Sequence, residues 1–114
     1  MILSMLLEKT KEAGRRFIKV RGLTIDLTEK RVLENEEEIR VSPVEFFLLR
    51  YLAINKGKEV STDQLLTYLW KKDVFLLEES IERIMDILRS KIGQSQPAQQ
   101  YIAINNKSYK LLEV

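Results

Sequence analysis

With 114 residues, no Cys and no His, the chain is one domain of ordinary size that can bury a core without disulfide or metal staples. The missing residue types exclude disulfides, the usual zinc sites, nucleophilic cysteine chemistry and imidazole acid–base catalysis. A formal net charge of +2 permits nucleic-acid binding without arguing for it, because what matters is where the charge sits.

Residues 2–13 place Ile2, Leu3, Leu6 and Leu7 on one helical face, with Glu8, Lys9, Lys11 and Glu12 trailing and Gly14 as a stop. No basic region precedes this apolar start, so it is not read as a signal peptide. No apolar run approaches the ~20 residues that cross a bilayer. The cysteine-free composition fits a reducing cytoplasm, and the expected location is cytoplasmic, away from membranes. Charge then turns basic through Arg15, Arg16, Lys19 and Arg21, as in a linker.

From Phe17 to Val41 the hydrophobic period drops to two. Residues 23–27, 31–34 and 38–41 predict short antiparallel strands, with Asn35-Glu36 turning between the last two. Glu34, Glu36, Glu37 and Glu38 read as a solvated turn whose like charges would repel DNA. Ser42-Pro43-Val44-Glu45 then combines an N-cap serine, proline at the first helical position and a glutamate reaching back, which predicts a helix over 43–54. After the breaker Asn55-Lys56-Gly57-Lys58, Ser61-Thr62-Asp63-Gln64 repeats the start signal for a helix over 62–70. Trp70 is expected to close that helix in the core.

The connector from Lys71 to Leu77 holds four apolar residues in a row, Val74 to Leu77. That is costly if all face water. Two readings stand side by side: part of the run covers the core, or Val74, Phe75 and Leu76 meet a partner. The longest helix is expected over 79–92, with Ile81, Met85, Leu88 and Ile92 spaced four, three and four apart as its buried stripe. Residues 101–104, 105–108 and 109–112 predict strand, turn and strand. Tyr109 is expected to pack at the root of that hairpin. No paired carboxylates, Gly-rich phosphate loop or nucleophile–base pair can be placed, so no enzyme activity, cofactor or metal is expected.

Three short helices followed by a hairpin are the layout of an α+β winged helix-turn-helix, here preceded by an antiparallel sheet. The segments Val41-Ser42-Pro43-Val44-Glu45-Phe46-Phe47-Leu48-Leu49, Val60-Ser61-Thr62-Asp63-Gln64-Leu65-Leu66 with Trp70, Leu88-Arg89-Ser90-Lys91-Ile92 and Tyr109-Lys110-Leu111 resemble the OmpR/PhoB-type DNA-binding domain of bacterial two-component response regulators. The resemblance implies a four-stranded N-terminal sheet packed on the helices. It also implies a third helix in the major groove, a wing in the adjacent minor groove, and a homodimer regulating transcription on paired half-sites of promoter DNA. RNA polymerase would be met by the connector after the second helix. A receiver domain would precede this domain in the full-length chain and relay phosphorylation to it. Residues 1–16 are accordingly expected to be the last receiver helix and linker, and 17–114 the winged-helix domain. A stand-alone domain with its own N-terminal helix is the other reading.

The candidate DNA contacts are Arg83, Ile84, Ile87, Arg89 and Lys91 on the third helix, with Asn105, Lys107 and Lys110 in the wing. Arg and Lys would neutralise phosphates. Ile84 and Ile87 lie off the buried stripe and would face the open side, suiting thymine methyls or a protein partner. The family pattern is incomplete here. Glu79 stands where the family has a phosphate-binding Arg, Ile84 where it has His, and Asp86 and Ile87 where it reads bases. Its Arg-Gly-x-Gly-Tyr wing is Asn105-Asn106-Lys107-Ser108-Tyr109. Glu78, Glu79, Glu82 and Asp86 outnumber Arg83, Arg89 and Lys91 along the helix. A second function therefore stays open: a winged-helix module that binds a protein, RNA polymerase or another regulator, instead of DNA.

Overall fold

The computed structural model describes residues 16–93 and 101–112; the helix expected over 2–13 lies outside the described residues. The period-two stretch forms β1 (Phe17–Val20), β2 (Leu23–Asp26), β3 (Arg31–Glu34) and β4 (Glu37–Ile39), an antiparallel sheet with the strands in that spatial order. Its turns follow from side chains. Asp26 is buried, and its Oδ1 accepts the backbone N–H groups of Thr28 and Glu29 at 3.0 Å each, folding the chain back towards β3. The Arg31 guanidinium lies 3.5 Å from Oδ2 and balances its charge. Asn35 and Glu36 both adopt left-handed backbone, φ 51° and 71°, the conformation of a tight two-residue hairpin loop.

Both serine start signals work as expected. α1 (Pro43–Ile54) and α2 (Thr62–Trp70) each open on a complete capping box. The Glu45 N–H donates to Ser42 Oγ at 3.1 Å and the Ser42 N–H to Glu45 Oε1 at 2.8 Å; Ser61 and Gln64 repeat these distances. α3 spans Glu78–Lys91. The second sheet holds β5 (Val60–Ser61), β6 (Ile102–Ile104) and β7 (Ser108–Leu111) in the order β5-β7-β6. β6 and β7 are the expected wing. β5 is too short to show alternation, and its sequence reads only as the start of α2. Pairing Val60 with Tyr109, it fastens the wing to the beginning of that helix.

Leu23, Ile25 and Val32 of the first sheet meet Leu48, Leu49 and Leu52 of α1, Leu65 and Leu69 of α2, and Ile81, Met85 and Leu88 of α3 in one core, closed by Ile102 and Leu111. Each such side chain contributes about 1.5–3 kcal/mol by leaving water. Two expectations are corrected. Trp70 is 57% exposed, because Leu65 and Leu69 define the inward face of α2 and the next residue is rotated by about 100° from it. Glu34 is buried rather than part of a solvated turn, because strand alternation puts it on the same face as Val32.

The buried glutamate has partners. Both carboxylate oxygens of Glu34 accept the Gly93 N–H at 3.0 Å, and the Tyr101 hydroxyl also hydrogen-bonds to it. Burial, and then the Glu34 charge, raise the Tyr101 pKa above its ordinary value. A second carboxylate sits close to the same end of α3. Glu45, also buried, accepts Lys91 Nζ at 2.7 Å on the Oε1 that already caps α1. The last turn of α3 and the second residue beyond it are thus held by two acids from separate elements. Ser42→Ala is expected to cost about 1 kcal/mol as a lost N-cap. Glu45→Ala should cost clearly more, because it also leaves Lys91 without its partner. Urea denaturation with unchanged m-values measures both; equal losses would mean that the ion pair adds nothing.

Candidate nucleic-acid interface

Burial of Ile81, Met85 and Leu88 turns Glu79, Glu82, Arg83, Asp86, Ile87 and Ser90 outward on α3. No side chain caps the helix at Leu77, but Glu78 and Glu79 in the first turn and Arg89 and Lys91 in the last oppose the helix dipole favourably. Glu78, Glu82 and Asp86 follow one another at four-residue spacing, so they lie along one side of the helix. That side faces the wing, as Tyr109 shows. Its hydroxyl pKa is raised first by burial and then by the charges of Glu82 and Asp86, with Glu78 adding to them and Arg89 opposing.

The wing turn is tighter than the four-residue turn expected. The Asn105 N–H donates to the Ser108 carbonyl at 3.0 Å, which leaves Asn106 and Lys107 as a two-residue loop with φ 45° and 47°. Asparagine tolerates this backbone better than most residues. The tip is tied down on several sides. The Lys107 carbonyl accepts both the backbone N–H of Thr62, at 3.0 Å, and its hydroxyl, at 3.1 Å. Lys107 Nζ lies 3.3 Å from Glu78 on α3, and Asn105 Nδ2 donates to Glu59 at 3.0 Å.

The expected contact residues therefore separate into groups. Arg83 points outward and makes no ion pair among the described residues. Ile87 is 43% exposed, as expected. Ile84 is half-buried and packs against the core, which corrects the expectation that it faces the open side. It stands three residues after Ile81 and four before Leu88, and so flanks the buried stripe. Arg89 is half-buried beside Tyr109. Lys91 is held by Glu45, Lys107 by Glu78 and Asn105 by Glu59. Lys110 follows Tyr109 on β7 and alternates to the opposite face of the hairpin.

In the connector the extended chain alternates. Val74 and Leu76 pack against the core, while Phe75 and Leu77 are 71% and 69% exposed. Of the three residues expected to meet a partner, only Phe75 is presented. Leu77 and Trp70 join it as large exposed apolar side chains. Strand-like alternation would have picked Leu77 from the sequence, and the helical spacing of Leu65 and Leu69 would have turned Trp70 outward.

The sequence matches, over residues 36–112, the family described as "Transcriptional regulatory protein, C terminal". It is 31% identical over 65 residues to the phosphate regulon transcriptional regulatory protein PhoB of Escherichia coli K12, covering 57% of this chain and 28% of that protein. It is 32% identical over 77 residues to the KDP operon transcriptional regulatory protein KdpE of the same strain, covering 68% and 34%. The chain thus spans about a third or less of the length of these curated relatives. Among solved structures, the DNA-binding domain of RstA from Klebsiella pneumoniae, crystallised in complex with the RstA box, superposes with a TM-score of 0.73 at 25% identity, covering 87% of this chain and 99% of that one. The four-stranded sheet, three helices and hairpin wing are the architecture of that winged-helix class, and this chain belongs to the family of transcriptional regulatory protein C-terminal domains.

Proposed function

We propose that this domain binds double-stranded promoter DNA and regulates transcription as the output domain of a two-component response regulator. The observation that carries the reading is the rigid mounting of α3, whose outward face lies beside a hairpin wing, the arrangement that enters the major groove and reaches the adjacent minor groove. Arg83, Arg89 and Lys110 are the cations of the set with no ion pair among the described residues, and they make the phosphate contacts. Ile87 offers an apolar contact to thymine methyls. Lys107 joins them when it leaves Glu78, and Asn105 steadies the wing. Lys91, held by Glu45, positions the helix. On this reading a receiver domain precedes residue 17 in the full-length cytoplasmic protein, two copies bind paired half-sites, and Phe75 with its exposed neighbours meets RNA polymerase.

One observation favours a second reading. Glu79, Glu82 and Asp86 all turn outward on α3, while Lys91 and Lys107 are neutralised by their partners. An acidic helix face with an apolar centre at Ile87 suits a basic protein surface. Salt titration separates the two. Three phosphate contacts give a slope of log K against log salt of about −3 on random duplex. Arg89→Ala should weaken binding to all sequences alike and flatten the slope by about one unit. Asp86→Lys should strengthen non-specific binding. Absence of salt-sensitive binding at low ionic strength in both the native chain and Asp86→Lys would hand the function to the protein-partner reading.

Releasing the wing lysine gives a separate check. Glu78→Gln is expected to steepen the salt slope by up to about one unit, as Lys107 becomes available to a phosphate. The fold should lose little, since an exposed pair of this kind contributes about 0–1 kcal/mol. An unchanged slope would place Lys107 outside the DNA interface.

A further inference from the structure

The outer side of α1 is apolar where a surface helix is expected to be polar. Phe47, Tyr51 and Ile54 recur there at helical spacing, the first two half-buried and Ile54 exposed. Tyr68 of α2 extends the strip, its ring 4.5 Å from that of Tyr51. Cations surround it. Arg50 donates to the Tyr68 hydroxyl at 3.1 Å. Lys72 Nζ lies between two rings, 5.9 Å from Phe47 and 5.8 Å from Tyr68, and Lys30 approaches Phe47 at 6.0 Å. Among the described residues none of Lys30, Arg50, Lys71 and Lys72 forms an ion pair. Two shallow hollows flank the strip. One, of about 260 Å³, lies between Tyr51, Tyr68 and Lys71. The other, of about 230 Å³, lies between Lys30, Pro43 and Phe47. The one carboxylate lining either is Asp63.

We propose that this α1–α2 face is the docking site of an acidic amphipathic segment of a partner protein, which seats apolar side chains in the two hollows and sets its carboxylates against Lys30, Arg50, Lys71 and Lys72. An aromatic strip ringed by unpaired cations matches an acidic helix laid on it, apolar anchors inward and charges at the rim. A second copy joined about a two-fold axis would set these cations against one another. The chain's own first fifteen residues offer Glu8 and Glu12 against Lys9, Lys11 and Arg15, with no acidic excess to bring. Duplex DNA would satisfy the cations and leave the rings without an apolar cover.

The test uses the full 114-residue chain and a fluorescein-labelled helical peptide bearing Phe and Leu one turn apart among glutamates, with its Glu-to-Lys counterpart as control. Anisotropy should report binding of the acidic peptide at least about tenfold tighter than that of the control, weakening as salt rises. Amide shift changes should cluster on α1 and α2. Lys72→Glu and Arg50→Glu should each weaken the acidic peptide about tenfold, and unchanged melting curves would show that the variants are folded. Equal binding of the two peptides, shift changes confined to α3 and the wing, or no effect of either variant overturns the proposal. So does displacement of the peptide by random duplex with loss of DNA binding in Lys72→Glu, which would make the face a phosphate site. Self-association lost in Lys72→Glu would assign it to a second copy.

Discussion

The C-terminal end of α3 is fixed by two buried carboxylates, and the pose of the helix that would read a groove depends on them. Glu45 holds Lys91 across 46 residues of sequence, and Glu34 holds the Gly93 N–H across 59. Each acid has a second task, Glu45 in the α1 capping box and Glu34 in taking the Tyr101 hydroxyl. A buried carboxylate without partners would cost several kcal/mol, so these sites tolerate few other arrangements of the elements they join. The hydrophobic stripe of α3 sets which side of the helix faces inward, but apolar packing alone is forgiving about axial shift. Directional bonds at one end supply the missing constraint.

Features with local causes were legible in the sequence. The two serine capping boxes located α1 and α2, the Ile81-Met85-Leu88 stripe gave the inward side of α3, and Asn35-Glu36 marked a hairpin loop. The misses have mixed causes, some in local periodicity and some outside any local window. Lys91 looks like a solvated helix lysine until Glu45 is brought beside it from another helix. Glu34 sits in an acidic run and looks solvated unless strand alternation is carried through from Val32. β5 is a strand only because β7 arrives next to it. Trp70 reads as core on composition, whereas the short α2 spends its inward positions on Leu65 and Leu69. The candidate site was hardest to read because its electrostatics depend on pairings that fold together separate parts of the chain.

Those pairings redistribute the charge of the domain. Lys91 and Lys107, counted as basic in the sequence, are neutralised in place, so the outward side of α3 and its wing cleft are left with Glu79, Glu82 and Asp86 against Arg83 and Arg89. Lys30, Arg50, Lys71 and Lys72, which form no ion pair among the described residues, gather instead around the rings of α1 and α2. A mild net charge thus conceals two faces of opposite character, which is why composition could neither support nor oppose nucleic-acid binding.

The junction of β5 with the wing also bears on how the chain folds. β1 to β4 pair with sequence neighbours and can zip up by successive hairpins. The joint between Thr62 and Lys107, by contrast, closes a loop of 45 residues, and the acid clamps on α3 close loops as long or longer. Such non-local contacts carry most of the loop-closure entropy and slow folding. The amino-terminal sheet can therefore form early, while α3 gains its final pose only when β7 inserts between β5 and β6. Until then Val60, Tyr109 and Leu111 lack their cover, and the open edge of β5 is the part of the nascent domain most exposed to mispairing.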